Sequence, residues 1–153
     1  MRNHKKLLIE QLDQKLSNFK AAGMVLVPQK GWINTIRTTL NMTREQLGVK
    51  LELTKGAIQK MEEREVTGQI TINKLRDVGK ALDMHFVYGF VPKEESVDNL
   101  INNKAQTLAR KIVLRTNQNM KLEGQGIGDE KINETINELA NEIKREMRKS
   151  LWD

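Results

Sequence analysis

Apolar residues recur every three or four positions along most of the chain, the spacing that places them on one face of an α-helix. The helices that this pattern predicts cover residues 3–20, 32–40, 43–62 in two parts, 71–82, 96–117 and 129–151. Thr71 and Ser96 are placed to cap the helices that follow them, and residues 63–70, which contain Gly68, are predicted to form a loop. Within residues 85–91 the period changes, because aromatic residues alternate there with valine and glycine, and this predicts a short β-strand. We expect an all-α protein with one short strand segment.

The predicted strand needs a partner, because a single strand leaves its own backbone donors unsatisfied. The chain offers one other candidate, the short apolar run Met24–Val27. The strand over 86–91 is therefore expected to pair either with that run or with its own copy in a second subunit. The second arrangement would give a homodimer.

Residues 43–62 have the pattern of two short helices joined by a tight turn. Thr43 and Gln46 form a T-x-x-Q capping box for the first helix, and Thr54 is placed to cap the second. Gly48 leaves room for the second helix to approach closely. The apolar positions that pack the two helices together are Leu47, Leu51, Leu53, Ile58 and Met61. The spacing predicts a helix-turn-helix.

The outer face of the second helix is polar, with the long side chains of Lys55, Gln59 and Lys60 around the small Gly56. Such a face suits the edges of bases in the major groove of DNA, so we expect Lys55 and Gln59 to contact bases. The expected phosphate contacts are Arg44, Thr54 and Lys60. The alternative is an ordinary helical hairpin whose exposed face is only solvated. Glu52 takes the place of the glycine usual in this turn, where φ is often positive.

The composition agrees with a polyanionic partner, because the 153 residues carry a net charge of +6. There is no cysteine, which excludes disulfides and thiolate chemistry and suits a reducing compartment. No apolar run approaches the roughly 18 residues of a membrane helix. We therefore expect a cytoplasmic protein that does not enter a membrane.

Nothing in the sequence indicates an enzyme. The two histidines, His4 and His85, are far apart in the chain and have no clustered carboxylates beside them. No spacing typical of metal ligands occurs, and the chain has no cysteine nucleophile. We expect no catalytic residues, no metal and no cofactor.

The features described so far resemble a known class. Residues 32–84 resemble the five-helix DNA-binding domain of the Xre/lambda-repressor class. The wider layout is similar to the family called mobile mystery protein A, through G-W-I-N-T-I-R at 31–37, F-V-Y-G-F-V-P-K at 86–93 and N-M-K-L-E-G at 119–124. The resemblance implies a repressor that binds double-stranded DNA at its own promoter. It also makes Asn73 and Lys74 candidate phosphate contacts, although both could simply be solvated residues at a helix start.

The second resemblance further implies a protein partner. Members of that family are typically encoded beside a Fic-domain protein, so the chain would be the antitoxin that inhibits a Fic-type AMP-transferase. In that system an antitoxin helix with the pattern [ST]-x-x-x-E-[GN] places its Glu against an arginine of the Fic motif. Glu123 and Gly124 match this pattern, and Asn119 replaces its Ser or Thr. The alternative is a plain Xre-family repressor with no toxin partner, in which Glu123 is an exposed acid before a hinge.

The chain is expected to divide into four segments: an N-terminal amphipathic helix and linker (1–28), the helix-turn-helix domain (29–84), the short strand (85–93) and a C-terminal helical extension (94–153). Five basic residues and no acid occur from 104 to 121 in that extension. This run is expected to be a solvated face, a contact with the DNA backbone or a contact with a protein partner. A structural adaptor with a vestigial motif is the third functional class, and the basic charge and the intact apolar spacing argue against it.

Overall fold

The computed structural model describes residues 2–122 and 128–153. Within these ranges the chain is all-α and contains no β-strand. The α-helices are α1 (Arg2–Leu16), α2 (Trp32–Thr39), α3 (Arg44–Leu51), α4 (Lys55–Thr67), α5 (Ile72–Ala81), α6 (Val97–Leu122) and α7 (Asp129–Glu146). Short 3₁₀ turns cover Ser17–Phe19, Ala21–Met24 and Lys149–Trp152. The expected all-α class is confirmed.

The chain forms two compact units. One unit contains residues 24–89 and therefore helices α2 to α5, and we call it the α2–α5 unit. The other combines the residues up to Gly23 with residues 90–153, and we call it the α6–α7 unit. The N-terminal helix thus belongs with the C-terminal helices, an association between distant segments that the sequence pattern did not suggest.

The α2–α5 unit is built around a small apolar core. Its fully or nearly buried residues come from all four helices and the residue after the last one: Ile33, Leu47, Ile58, Met61, Val78 and Leu82. The predicted N-caps are confirmed. Thr43 accepts from Gln46 N and its own N–H donates to the Gln46 side chain, while Thr54 and Thr71 accept from Ala57 N and Lys74 N. Removing such a cap typically costs about 1 kcal/mol.

Two sequence expectations in this unit need correction. Residues 63–70 were expected to form a loop, but α4 continues to Thr67 and ends at Gly68, whose φ is +81°. The left-handed conformation of Gly68 ends the helix, since glycine adopts it without strain. The five-helix form is also not confirmed, because residues 24–89 contain four α-helices. The last of them is followed by Asp83 in a left-handed conformation, and the next helix begins only at Val97.

The predicted strand over residues 85–93 is not formed in the single chain. Residues 85–92 and 25–28 have no regular secondary structure, and no ladder joins them. The backbone at Met84 and Phe86 instead lies against Gly79 of α5, where a β-carbon would be 3.0 Å from the Met84 oxygen. Met84 N donates to the Gly79 oxygen at 2.7 Å. The segment is therefore fastened to the end of α5 rather than to another strand.

The α6–α7 unit is an antiparallel helical hairpin. Lys144 near the end of α7 pairs with Asp98 at the start of α6, at 2.9 Å, which fixes the opposite directions of the two helices. Three buried alanines allow the helices to pack closely: Ala105, Ala109 and Ala140. Helix α6 continues to Leu122, five residues beyond the predicted end, and α7 ends at Glu146 rather than continuing to 151. Met147 ends α7 in a left-handed conformation, with φ at +50°.

A side chain of α1 caps the start of α6, although the two helices are far apart in the sequence. The carboxylate of Asp13 accepts hydrogen bonds from Val97 N at 2.6 Å and from Asp98 N at 3.2 Å. Ser96 accepts from Asn99 N at 3.0 Å, as the sequence predicted for a cap of this helix. Asp13 and Ser96 together satisfy three of the free N–H groups at the start of α6. The acid of α1 therefore ties the N-terminal helix to α6.

Candidate nucleic-acid interface

The turn between α3 and α4 is held by backbone geometry. Glu52 has φ +57° and ψ +41°, so it adopts the left-handed conformation for which such turns usually use glycine. Leu53 N donates to the Gly48 oxygen at 2.8 Å, which closes the end of α3. An added β-carbon on Gly48 would overlap the Leu53 oxygen. Residue 48 has to be small as predicted, but the reason is the backbone of the turn rather than the approach of α4, because Ile58 of α4 would be 3.6 Å from the added β-carbon. Glu52 makes the turn despite its side chain.

A buried carboxylate supports α4 from behind. Glu62 accepts from Arg37 Nε at 2.6 Å, from Asn34 Nδ2 at 3.0 Å and from two nitrogens of Arg44 at 3.1 and 3.2 Å. Arg37 also donates to the Met42 oxygen at 2.8 Å. Glu62 and Arg37 are both buried, so these contacts are little screened by water. The cluster joins α2, the start of α3 and the middle of α4.

The same helix also caps α2. The carboxylate of Glu65 accepts from Trp32 N at 2.7 Å and from Ile33 N at 2.8 Å. Gly31 precedes α2 with φ +84° and offers no side chain as a cap, so Glu65 takes over that role. Glu62 and Glu65 are three residues apart and therefore lie on the same face of α4. They fix the helix-turn-helix to α2 while the opposite face of α4 remains exposed.

Burial raises the pKa of Glu62, and the hydrogen bonds from Arg37, Asn34 and Arg44 lower it by more, so the pKa lies below its ordinary value. Glu45 is exposed on α3. The pKa of Glu45 is also lowered, first by a hydrogen bond to its backbone region at the helix start and then by Lys55. Both carboxylates are therefore ionised at neutral pH.

The outer face of α4 carries the residues that the sequence assigned to base contacts. Lys55, Gly56, Gln59 and Lys60 are all exposed. Lys55 Nζ pairs with Glu45 Oε1 at 3.2 Å, and Gln59 Nε2 donates to Glu63 Oε1 at 3.4 Å. Nothing lies within 4 Å of the place where a β-carbon on Gly56 would sit, so the start of α4 is open. Each of the two expected base-contacting side chains thus has an acidic neighbour in the free protein.

Arg44 is positioned differently from the other expected phosphate contacts. Its guanidinium is bound to Glu62, and the side chain is about one-third exposed. Thr54 uses its hydroxyl to cap α4 and remains exposed. The sequence signal for Arg44 was its place beside the capping box, which does not distinguish a phosphate contact from a structural ion pair.

A shallow cleft of about 310 Å³ lies between α4 and the start of α5. Its floor is apolar, formed by Leu53, Met61 and Ile70. Its rim carries three cations: Lys60, Arg64 and Lys74. Asn73 and Lys74 are exposed in the first turn of α5, as expected.

Arg64 is the one cation of this rim that the sequence analysis did not select. It lies four residues after Lys60 on α4, so both side chains lie on the same face of that helix. Because residues 63–70 were predicted to form a loop, Arg64 was not placed on the same helix as Lys60. With a helix assigned through Thr67, the i, i+4 relation would have found it.

The remaining predicted sites lie outside this unit. Asn119 is exposed near the end of α6, and Glu123 and Gly124 lie outside the described residues. In the described ranges, no three residues among His, Cys, Asp and Glu are grouped so that they could hold a metal ion. None of the helices described is long and apolar enough to span a membrane.

Comparisons with models of protein families, with curated proteins and with solved structures give no match to this chain. The resemblance to the Xre/lambda-repressor class and to mobile mystery protein A therefore depends on the quoted motifs alone.

Proposed function

We propose that the α2–α5 unit binds double-stranded DNA in a sequence-dependent manner, with α4 in the major groove, and that the chain is a transcriptional repressor of its own promoter. The observation that carries this proposal is the asymmetry of α4. One face is fixed by buried contacts of Glu62 and the apolar core, and the first two turns of the opposite face present polar side chains around an open glycine, with the exposed Val66 only near the helix end. A rigid helix with an exposed polar face is the arrangement that base recognition in a groove requires.

The finer fold assignment is part of the proposal. Helices α2 to α5 would be a four-helix form of the Xre/lambda-repressor type of domain. Its support is the order of elements, with a capped α3, a three-residue turn and a capped α4 that follow a short first helix. The helix-turn-helix arrangement of that class uses its second helix to contact bases and its first to lie across the backbone.

Within this proposal the side chains divide into two groups. Lys55 and Gln59 contact base edges, where a lysine suits the acceptors of guanine and a glutamine pairs with adenine. The phosphate contacts come from the rim of the cleft between α4 and α5 and from the starts of the helices: Thr54, Lys60, Arg64, Asn73 and Lys74, with Arg44 as the contact that also holds Glu62. Phosphate contacts set the register of the protein on the duplex and carry little sequence information.

The acids beside the base-contacting residues support sequence dependence. Glu45 and Glu63 hold Lys55 and Gln59 in the free protein. On DNA, each acid would face a strongly negative surface, and its repulsion has to be offset by a good contact of its partner with a base. DNA of the wrong sequence gives no such compensation. The pairs therefore penalise non-specific binding more than specific binding.

A repressor of this type usually binds as a dimer to two half-sites about 34–36 Å apart. Support for a homodimer comes from two exposed apolar segments, Met24–Val27 and 87–91. Leu26 is 89% exposed and Phe90 is 84% exposed. Apolar side chains exposed to this extent are a feature of surfaces that bind another chain.

The deciding experiment measures the affinity of the full chain for its promoter DNA and for random DNA of equal length, over a range of salt concentrations. Lys55→Ala and Gln59→Ala should weaken promoter binding by about 1–3 kcal/mol and relax the preference at one base pair. Lys60→Ala should weaken both DNAs alike and reduce the salt dependence. Lys80→Ala is the matched control, because Lys80 is exposed at the other end of α5.

Two results would overturn parts of the proposal. Equal loss on promoter and random DNA for Gln59→Ala would remove Gln59 from base recognition. If none of the three variants differs from Lys80→Ala on either DNA, α4 does not contact DNA and the proposal is wrong.

The antitoxin function is a second proposal with separate support. It is carried by the sequence pattern formed by Asn119, Glu123 and Gly124, of which only Asn119 lies in the described residues. The chain would bind a Fic-domain protein and block its AMP transfer through Glu123, because a carboxylate that pairs with an arginine competes with the phosphate of ATP. Co-expression with a Fic protein encoded beside this chain tests it. Glu123→Gly should release AMP transfer and leave DNA binding unchanged, and full silencing by that variant would refute it.

A further inference from the structure

The α6–α7 unit has a groove with a charge pattern that the DNA-binding proposal does not use. It has a volume of about 490 Å³ and lies between one face of α6 and the 3₁₀ turn Lys149–Trp152. Leu108, Ile112 and Leu151 give it an apolar floor. Three cations lie along the α6 side: Lys104, Lys111 and Arg115.

The three cations form a straight row. Positions 104, 111 and 115 are separated by seven and four residues, so they lie on one face of α6. At 1.5 Å per residue the row is about 16 Å long, which is three turns of helix. Ile112 is 39% exposed beside the row, and Leu108 is half-buried. The groove therefore combines an apolar strip with a parallel strip of positive charge.

This charge is not neutralised within the part of the chain that is described. Asp98 is the one acid of α6, and it pairs with Lys144 rather than with any residue of the row. None of the ion pairs among the described residues includes Lys104, Lys111 or Arg115. Asp153 is the one acid in the groove lining. Three unpaired cations against one acid leave the groove with excess positive charge beside an apolar strip, which suits a partner that supplies acids.

Two of the three hydroxyl groups that line the groove are already used within α6, and the third belongs to the exposed Ser150. Thr107 donates to the Asn103 oxygen at 2.9 Å, and Thr116 donates to the Ile112 oxygen at 3.1 Å. Both threonines thus satisfy their hydroxyls within α6. Unlike the half-buried or buried apolar residues of the α4–α5 cleft, Ile112 exposes 39% of its surface beside the cations, and apolar side chains of a ligand would cover it favourably. The groove suits an apolar and acidic ligand better than DNA.

The geometry points to a partner protein that docks an acidic amphipathic helix in this groove. We propose that its apolar residues cover Leu108 and Ile112 and that its Glu or Asp residues pair with Lys104, Lys111 and Arg115. Helices that dock in grooves place apolar anchors at i, i+3 or i+4, and i+7, so such a helix presents one apolar stripe to Leu108 and Ile112 and can carry its acids along one side of that stripe. This inference does not depend on DNA binding, since the α2–α5 unit contributes nothing to the groove.

A second copy of this chain is the less suitable occupant. The chain has its own row of acids, Glu130, Glu134 and Glu138, all exposed on α7. This row lies opposite the face of α7 that packs on α6, whereas the cation row lies on α6. An acid row of one copy on the groove of another would join different surfaces and give an open, head-to-tail assembly rather than a closed dimer.

The test uses a fluorescent synthetic peptide as the probe, with leucines at i, i+4, i+7 and glutamates at matched 7- and 4-residue separations. Its anisotropy is titrated with the full chain. We expect binding that weakens as salt rises, because ion pairs at the rim of the groove are screened. A peptide with every glutamate replaced by lysine should not bind.

The variant Lys111→Glu should lower the affinity for the acidic peptide at least tenfold. Arg110→Glu is the matched control, since Arg110 is the exposed neighbour with the same charge but does not line the groove. It should change the affinity less than twofold. Circular dichroism establishes that both variants keep their helix content.

Three results would overturn the inference. The first is no binding of the acidic peptide at millimolar concentration. The second is equal loss for Lys111→Glu and Arg110→Glu, which would mean that the peptide responds only to net charge. The third is that the acidic peptide fails to bind while Lys111→Glu weakens promoter DNA binding as much as Lys60→Ala does. The row of cations would then be a DNA contact.

Discussion

The carbonyl oxygen of Leu53 occupies the space that a β-carbon on residue 48 would need, so the turn between α3 and α4 can close in its present form only with glycine at 48. Gly48 is buried within α3, and its role is steric rather than a matter of φ. At position 52 the constraint is φ rather than space. Glu52 has ample space but a positive φ that a side chain disfavours.

Gly48→Ala should therefore destabilise the α2–α5 unit by about 2 kcal/mol, because overpacking of a closed turn forces the backbone to move. Urea unfolding followed by circular dichroism measures the change. Gly56→Ala is the matched control, since nothing lies within 4 Å of an added β-carbon there. It should stabilise the chain by up to about 1 kcal/mol through its higher helix propensity. A Gly48→Ala variant as stable as Gly56→Ala would mean that the turn adapts freely.

Glu52→Gly should increase the free energy of unfolding by about 1 kcal/mol, because glycine adopts the left-handed conformation without the cost that a β-carbon brings. Thermal unfolding measures the shift. Lys50→Gly is the control on the same helix, where the residue is exposed and helical, and it should destabilise by about 1 kcal/mol. The opposite signs of the two glycine variants separate the effect of φ from the general cost of glycine.

Glu62→Gln should cost about 3 kcal/mol, because it removes the charge that Arg37 and Arg44 share in a buried site. Glu63→Gln is the control at the next position, where the carboxylate is exposed and accepts one weak hydrogen bond from Gln59. It should change stability by less than about 0.5 kcal/mol. A Glu62→Gln variant as stable as Glu63→Gln would show that the cluster contributes no net stability.

Lowering the pH should destabilise the fold through protonation of Glu62 in its cluster with Arg37 and Arg44. The pKa of Glu62 is lower in the folded chain than in the unfolded chain, so the unfolded state binds the proton more tightly. The stabilisation is complete above the ordinary pKa of about 4.5 and is lost as the pH falls through the lower, folded value. Unfolding measured between pH 6 and pH 3 should therefore show a decline that is shallower in Glu62→Gln. Parallel curves for the two proteins would assign the decline to other acids.

The sequence was a good guide where local chemistry decides the structure. Thr43, Thr54 and Thr71 are caps in the structure as predicted, because a cap depends on residues within one turn. It failed where distant residues decide. Glu65 caps α2 across 32 residues, and Asp13 caps α6 across 84. No periodicity within a window of the chain reveals such pairs.

The same limit applies to the candidate interface. The exposure of Lys55 and Gln59 followed from helical spacing alone. The binding of Arg44 to Glu62 did not, because a basic residue beside a helix start is compatible with either phosphate or carboxylate. The expected strand over 86–91 failed for a related reason. An alternating pattern indicates a strand only when a second strand is available, and residues 2–122 and 128–153 provide none within one copy.

Glu45→Gln should raise the affinity for random DNA by about two- to fivefold, since it removes a negative charge next to the face of α4 that is proposed to contact DNA and frees Lys55. The affinity for the promoter should rise less, so the ratio of specific to random binding falls. Fluorescence anisotropy at two salt concentrations measures both constants. Glu138→Gln makes the same change of net charge on α7 and should have almost no effect. Equal increases for the two variants would mean that only net charge matters, and that Glu45 does not contribute to sequence preference.

The exposed segment after α5 should mediate self-association. Phe90 exposes 84% of its surface and Val87 72%, and a segment of alternating apolar residues with free backbone groups can pair with its own copy. Sedimentation at micromolar concentration should give about twice the chain mass of 17.6 kDa. Phe90→Asp should shift the chain to the monomer, because pairing would bury the new charge.

Val49→Asp is the control for that shift, since Val49 is 80% exposed on α3 and lies in no predicted strand. It should leave the sedimentation unchanged. Phe90→Asp should also abolish the cooperative occupation of two half-sites on promoter DNA while single half-site binding by the α2–α5 unit persists. A wild-type chain that sediments as a monomer both free and on DNA would reject self-association. A dimer that persists in Phe90→Asp would place the contact elsewhere on the chain.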